Sequence, residues 1–154
     1  MNSMKKLLLI SLFLLCQIGW SQNTEKENLQ SLIENFFQAF HAQDSVRLKS
    51  FAHPDIKMQS VAIDNEGNTD LSISEYSHFL KSIASIPAST KFEEKLHDFD
   101  INVNGMIANV STPYSFYVND ELSHCGVNTF QLMKSRGEWK IIYLVDTRSK
   151  KGCK

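Results

Sequence analysis

The chain has 154 residues, of which 42% are hydrophobic and 21% charged, and its formal net charge at pH 7 is −1. That length suits one domain able to bury its own core. With no basic patch and charge close to zero, the composition excludes a protein that holds nucleic acid by electrostatics.

The chain opens with a short basic start, Lys5-Lys6, followed by the apolar run Leu7 to Leu15 and then small residues, Gly19 and Ser21, at cleavage spacing. The run is too short to span a bilayer comfortably, so residues 1–21 are expected to be a secretory signal peptide rather than an uncleaved anchor. Cys16 follows Leu15, where a lipid-attachment site wants a small residue. Cleavage lowers the 16 basic residues to 14 against 17 acidic ones, a net charge of −3. The expected organisation is a domain over 22–148 and a basic tail over 149–154, periplasmic or secreted, with no membrane partner once the signal is cleaved. Two cysteines remain, Cys125 within a strand and Cys153 beyond the last one. An oxidising compartment favours a disulfide between them if Cys153 folds back; otherwise they are two inert thiols.

Thr24 and Glu27 have capping-box spacing, and Leu29, Leu32, Ile33, Phe36, Phe37 and Phe40 recur at helical intervals through His41. This predicts a strongly amphipathic first helix whose aromatic stripe packs on a sheet. Asp44 caps a second, shorter helix through Val46, Leu48 and Phe51. His53-Pro54-Asp55 reads as a turn into a strand over 56–63, and 64–68 as a polar turn. Ser72 and Glu75 repeat the capping-box spacing before a third helix with Tyr76, Phe79, Leu80 and Ile83 on one face, stopped by Pro87. An extended segment follows from Lys91 to Val103, with a change of phase near Leu96 and His97 that suggests a bulge. Asn104-Gly105 then signals a tight turn.

From Met106 to Arg148 the pattern is three long antiparallel strands. Met106, Ala108, Val110, Thr112, Tyr114 and Phe116 alternate with Asn109, Ser111 and Ser115. Asn119-Asp120-Glu121 and Ser135-Arg136-Gly137 supply the turns. Placing Lys134 opposite Glu138 sets Met133 against Trp139, Phe130 against Ile142 and His124 against Arg148. One face then carries Tyr114, Phe116, His124, Asn128, Phe130, Ile142, Leu144, Asp146 and Arg148. The other carries Cys125, Val127, Thr129, Gln131, Met133, Trp139, Ile141, Tyr143, Val145 and Thr147. With both faces of the last strand apolar, a cover is expected on each side.

The order of these elements, with Phe36-Phe37-x-x-Phe40, the Asp44-led helix, Phe51-Ala52-His53-Pro54-Asp55 and the closing Gly137-Glu138-Trp139-Lys140-Ile141, resembles the NTF2-like (SnoaL-like) superfamily. Within it the chain is similar to small exported bacterial members grouped as nuclear transport factor 2 family or putative lumazine-binding proteins. The resemblance implies an α+β cone: three N-terminal helices packed on a strongly curved, mainly antiparallel sheet. It also implies a pocket at the wide end, and commonly a homodimer through the outer sheet face, here led by Trp139, Ile141, Tyr143 and Val145. Such domains include isomerases, dehydratases and cyclases as well as binding modules without chemistry.

The polar end of the inner face is the candidate site. His124 beside Asp146 forms an acid/base pair, because the carboxylate orients the ring and stabilises its charged form; Arg148 suits an anionic group. Tyr114, Phe116 and Asn128, with Phe36 and Phe40 from the first helix, are the expected ligand contacts. The competing reading pairs Asp146 with Arg148 and leaves His124 half exposed. His97, Asp98 and Asp100 point to different faces of a strand, and no helical histidine pair is present, so no metal site is readable. The chain has no Gly-rich phosphate loop, no Cys-x-x-Cys and no Gly-x-Ser-x-Gly, which argues against nucleotide, redox and serine-hydrolase functions and points to no cofactor. Three functions follow in order: a module binding a small, partly apolar ligand, a cofactor-independent lyase or isomerase using His124 and Asp146, and a structural dimerisation domain.

Overall fold

The computed structural model describes residues 24–63 and 66–153; the expected signal peptide, 1–21, lies outside the described residues. Helix α1 spans 24–41, followed by α2 (Ser45–Phe51), β1 (Ala52–Ile63), β2 (Thr69–Ser74), α3 (Tyr76–Ser85), β3 (Phe92–Leu96), β4 (Asp100–Asn104), β5 (Ile107–Val118), β6 (Glu121–Ser135) and β7 (Glu138–Arg148). The seven strands form one sheet in the order β2-β1-β7-β6-β5-β3, with β4 also paired to β5. Among the described residues only β1 and β7 run parallel; the remaining pairs are antiparallel. The helices cover the concave face, giving the α+β cone that the sequence leads one to expect.

The core is the aromatic stripe of α1 laid into the curve of the sheet. Leu29, Ile33, Phe36, Phe37 and Ala39 are buried against Val110, Phe130, Leu132, Ile141 and Leu144. Phe36 makes edge-on contacts with Phe37, Phe51 and Phe130 at centroid distances of 5.4, 6.2 and 5.9 Å. Each such ring contributes about 1.5–3 kcal/mol by leaving water. At the narrow end, Lys134 Nζ and Trp139 Nε1 both donate to the Glu25 carboxylate, at 2.5 and 2.8 Å, fastening the start of α1 to the β6–β7 hairpin. Those bonds, led by Lys134, hold the Glu25 pKa below its ordinary value.

Local chemistry sets the boundaries. The Asp44 side chain accepts from Arg47 N at 2.9 Å and starts α2. Asn119 and Asp120 both take positive φ, as do Arg136 and Gly137, so the β5–β6 and β6–β7 hairpins each close with a two-residue turn whose twist matches the strands. The phase change near His97 is real: β3 ends at Leu96 and β4 starts at Asp100, both on β5.

Three local expectations are corrected. Strand β2 was not legible as a strand, because its sequence TDLSIS lies at the sheet edge and is exposed throughout. Ser72 consequently belongs to β2 and bonds Ser60 O, while Glu75 caps α3 without a side-chain bond. His53-Pro54-Asp55 lies within β1 rather than in a turn, at the point where the β1–β7 pairing is interrupted, so Pro54 removes no ladder donor that the sheet needs.

The third correction concerns register. Beside the turn, Ser135 pairs Glu138 and Lys134 pairs Trp139, one residue away from the expected alignment. A bulge between Gln131 and Leu132 then brings Phe130 opposite Leu144 and Asn128 opposite Asp146, two residues away. A one-residue shift reverses the faces and a two-residue shift restores them. Trp139 and Ile141 therefore lie in the core, not on the outer face, whereas Leu144 and Asp146 face inward as expected.

Gly126 sits where β6 meets the end of β7: a Cβ there would lie 1.8 Å from the Thr147 carbonyl oxygen. Gly126→Ala is expected to lower stability by at least about 2 kcal/mol through this overpacking, read as the shift of the denaturant midpoint at unchanged slope.

Candidate functional site

The wide end of the cone holds a cavity of about 460 Å³. One wall is helical and apolar: Phe40 at the last turn of α1, Phe79 and Ile83 on α3, then Ile86 and Pro87. The opposite wall is the inner face of the sheet, where Phe92, Phe116 and Val118 continue the apolar lining. Phe40 stacks on Phe79 at 6.0 Å and meets Phe92 edge-on at 4.9 Å, so the rings form a continuous aromatic side. Besides Thr90, from the loop between α3 and β3, the polar groups among the described residues come from the sheet: Glu94 from β3, Tyr114 from β5, His124 from β6, and Asp146 and Arg148 from β7.

These groups are connected. Arg148 Nε donates to Asp146 Oδ2 at 2.7 Å. The Tyr114 hydroxyl donates to the Thr147 carbonyl at 2.9 Å and lies 3.4 Å from the same Asp146 oxygen. Buried Asn128 donates from Nδ2 to Glu94 Oε1 at 2.5 Å. The backbone N–H of Glu94 donates to His41 Nε2 at 2.8 Å, so the end of α1 fixes the strand that carries this carboxyl.

Burial is the main influence on the titration of this cluster. It pushes the Glu94 carboxyl up to about 7; Asp146 adds to the rise, and the Asn128 bond and Arg148 oppose it. It raises the Tyr114 hydroxyl as well, with Asp146 and Glu94 acting in the same direction. Burial would lower Arg148, but its bond to Asp146 wins and the guanidinium is held more firmly charged. Burial, then Arg148, keeps the His124 pKa below its ordinary value against the pull of Asp146.

His124 and Asp146 therefore share the cavity without forming a hydrogen-bonded pair. Asp146 is engaged by Arg148 and Tyr114, whereas His124 Nδ1 meets Ser123 Oγ at 3.1 Å and its ring lies 4.9 Å from that of Phe116. Of the expected ligand contacts, Tyr114, Phe116, Arg148 and Phe40 line the cavity. Phe36 does not; it is 2% exposed and belongs to the core. Asn128 lies behind the wall as the partner of Glu94. Glu94 itself escapes sequence reasoning because its segment, FEEKL, looks like a charged edge. The usable signal is the period-two row Phe92, Glu94, Leu96, which puts one acid among inward apolar side chains. Among the described residues no group of three His, Cys, Asp or Glu is placed to hold a metal ion.

Solved structures of the same architecture place the fold among NTF2-like proteins. An NTF2-like protein from Cytophaga hutchinsonii superimposes with a TM-score of 0.63 at 14% identity, covering 80% of this chain and 97% of its own. An NTF2-like protein of unknown function from Pseudomonas putida gives 0.64 at 18%, covering 81% and 87%. A putative dehydratase of the NTF2-like family from Streptomyces avermitilis gives 0.60 at 17%, covering 83% and 98%. No curated protein matches the chain. The model of the family described as "Putative lumazine-binding" matches residues 24–145. The chain belongs to that family.

The Glu94 shift gives a signed pH dependence. The carboxyl is raised from 4.5 to about 7, so between those values the folded state binds more protons than the unfolded one. Stability is then present below pH 4.5 and declines as pH rises through 7, by an amount on the order of 3 kcal/mol from this group. Glu94→Gln keeps the acceptor for Asn128 and is expected to abolish that decline, measured by urea unfolding from pH 4.5 to 8.

Proposed function

We propose that this protein binds a small, partly apolar ligand in the cone. The observation that carries the reading is the cavity itself: an aromatic and aliphatic enclosure facing one connected set of polar groups, the pattern by which pockets bury a ligand and fix its orientation. Protonated Glu94 is available as a donor, and Asp146 as an acceptor. Decan-1-ol is a suitable uncharged probe, and lumazine a second one because the family's description mentions it. Titration calorimetry is expected to detect one site per chain for at least one of the two. Ile86→Trp, which fills the cavity from its helical wall, is expected to weaken that binding about tenfold or more. Absence of binding by both probes, or full binding by the filled variant, overturns the reading.

The cysteine pair supports a further part of the proposal, that the protein works in an oxidising, exported compartment. A homodimer through the outer sheet face is also proposed, on a patch displaced from the one the sequence suggested. With Trp139 and Ile141 in the core, the apolar outer side chains are Val61 on β1, Leu71 and Ile73 on β2, and Tyr143 and Val145 on β7. Leu71 is 54% and Ile73 73% exposed. Ile73→Glu is expected to convert a dimer to a monomer in analytical ultracentrifugation; a wild-type monomer at the same concentration removes this part of the proposal.

A further inference from the structure

Residues 149–153 do not run free. The bridge between Cys125 and Ser149 extends the β6–β7 pairing by reciprocal backbone bonds of 2.9 Å. Ser149 Oγ then bonds within its own turn, accepting from Lys151 N and donating to Lys151 O, both at 3.0 Å. Gly152 takes φ +76°, a left-handed conformation that lets the chain reverse. Cys153 so returns to Cys125 and is joined to it by a disulfide across 28 residues. The tail is a loop fastened at both ends.

That loop borders a second hollow, of about 430 Å³, enclosed by Ala62, Ile63, His124, Arg148 and the loop residues Ser149 to Lys151. His124 and Arg148 also line the main cavity, so the two spaces adjoin through shared walls. Their chemistries differ. The main cavity is mostly apolar and contains the two acids, Glu94 and Asp146. The second hollow is lined by no acid among the described residues and carries three basic side chains. Asp146 offsets Arg148, but Lys150 and Lys151 are exposed and make no ion pair among the described residues. Arg148 spends only Nε on Asp146, leaving both Nη groups without a hydrogen bond among the described residues. The arrangement is an apolar chamber with a cationic lip at one edge, and the disulfide holds that lip in place.

We propose that the ligand is an amphipathic anion, its apolar body in the cone and its carboxylate or similar monoanionic head against Arg148, Lys150 and Lys151. The proposal rests on the reading that the cone binds a ligand and adds the charge and orientation of that ligand. A head at the lip lies outside the part of the cavity occupied by Glu94, and opposite charge acts on it within a screening length of about 10 Å at 0.1 M salt.

The test compares decanoate with decan-1-ol, which share a body and differ in the head, by titration calorimetry on the oxidised protein in low salt at pH 8. Decanoate is expected to bind about tenfold more tightly. The preference is expected to shrink in 1 M salt, where screening shortens to about 3 Å. In the double variant Lys150→Gln/Lys151→Gln it is expected to fall to about twofold or less with decan-1-ol affinity unchanged. Releasing the loop by Cys125→Ser/Cys153→Ser, with folding checked by circular dichroism, is expected to reduce the preference in the same way. Equal binding of the two probes overturns the anionic assignment and leaves the cone-binding reading standing. A full preference retained by the lysine double variant overturns the role of the lip. Failure of both probes and of lumazine overturns the binding reading itself.

Discussion

The structure depends on burying the aromatic stripe of α1 in the hollow of a bent sheet. Phe36, Phe37 and Phe130 meet edge to edge, and nearly every other core residue touches this cluster or its neighbours. The bend is supplied by irregular strands, with breaks in register within β5–β6, β6–β7 and β1–β7. A flat sheet would expose one end of the stripe or the other.

The cavity follows from a mismatch of lengths. An α-helix rises 1.5 Å per residue, so α1 extends about 27 Å, while a strand of 15 residues such as β6 reaches about 50 Å before bending. The sheet outruns the helix that fills it. Beyond His41, which bonds the Glu94 backbone, the inner face has no helical side chains from α1 to pack against, and α3 closes only one side. An unfilled, apolar-walled space at the wide end is the geometric result.

Into that space the sheet delivers acids that sit poorly in apolar surroundings. Each is held by a specific partner, Glu94 by Asn128 and Asp146 by Arg148 and Tyr114, which fixes their positions. The partnering also bears on His124: its ring packs against Phe116 and Tyr114, while the carboxylate expected to orient it bonds Arg148 and Tyr114 instead.

The sequence by itself determined the elements whose signals are local. The 3.6-residue period of α1, the Asp44 cap, the period-two alternation of β5 and the turn residues at 119–120 and 136–137 need no distant contact to be read. It also brought Tyr114, Asp146 and Arg148 to one face, because a register error of two residues preserves parity. What only the tertiary structure decided depends on pairing between distant segments. The pairing of Lys134 with Trp139 beside the turn put Trp139 and Ile141 into the core, and the bulge beside Leu132 returned Leu144 and Asp146 to the inner face. Edge pairing made a strand of a polar hexapeptide, and the fold brought Glu94 beside Asn128 across 34 residues of sequence. Bulges, edges and buried acids are set by what lies across the sheet, and a linear pattern does not contain that information.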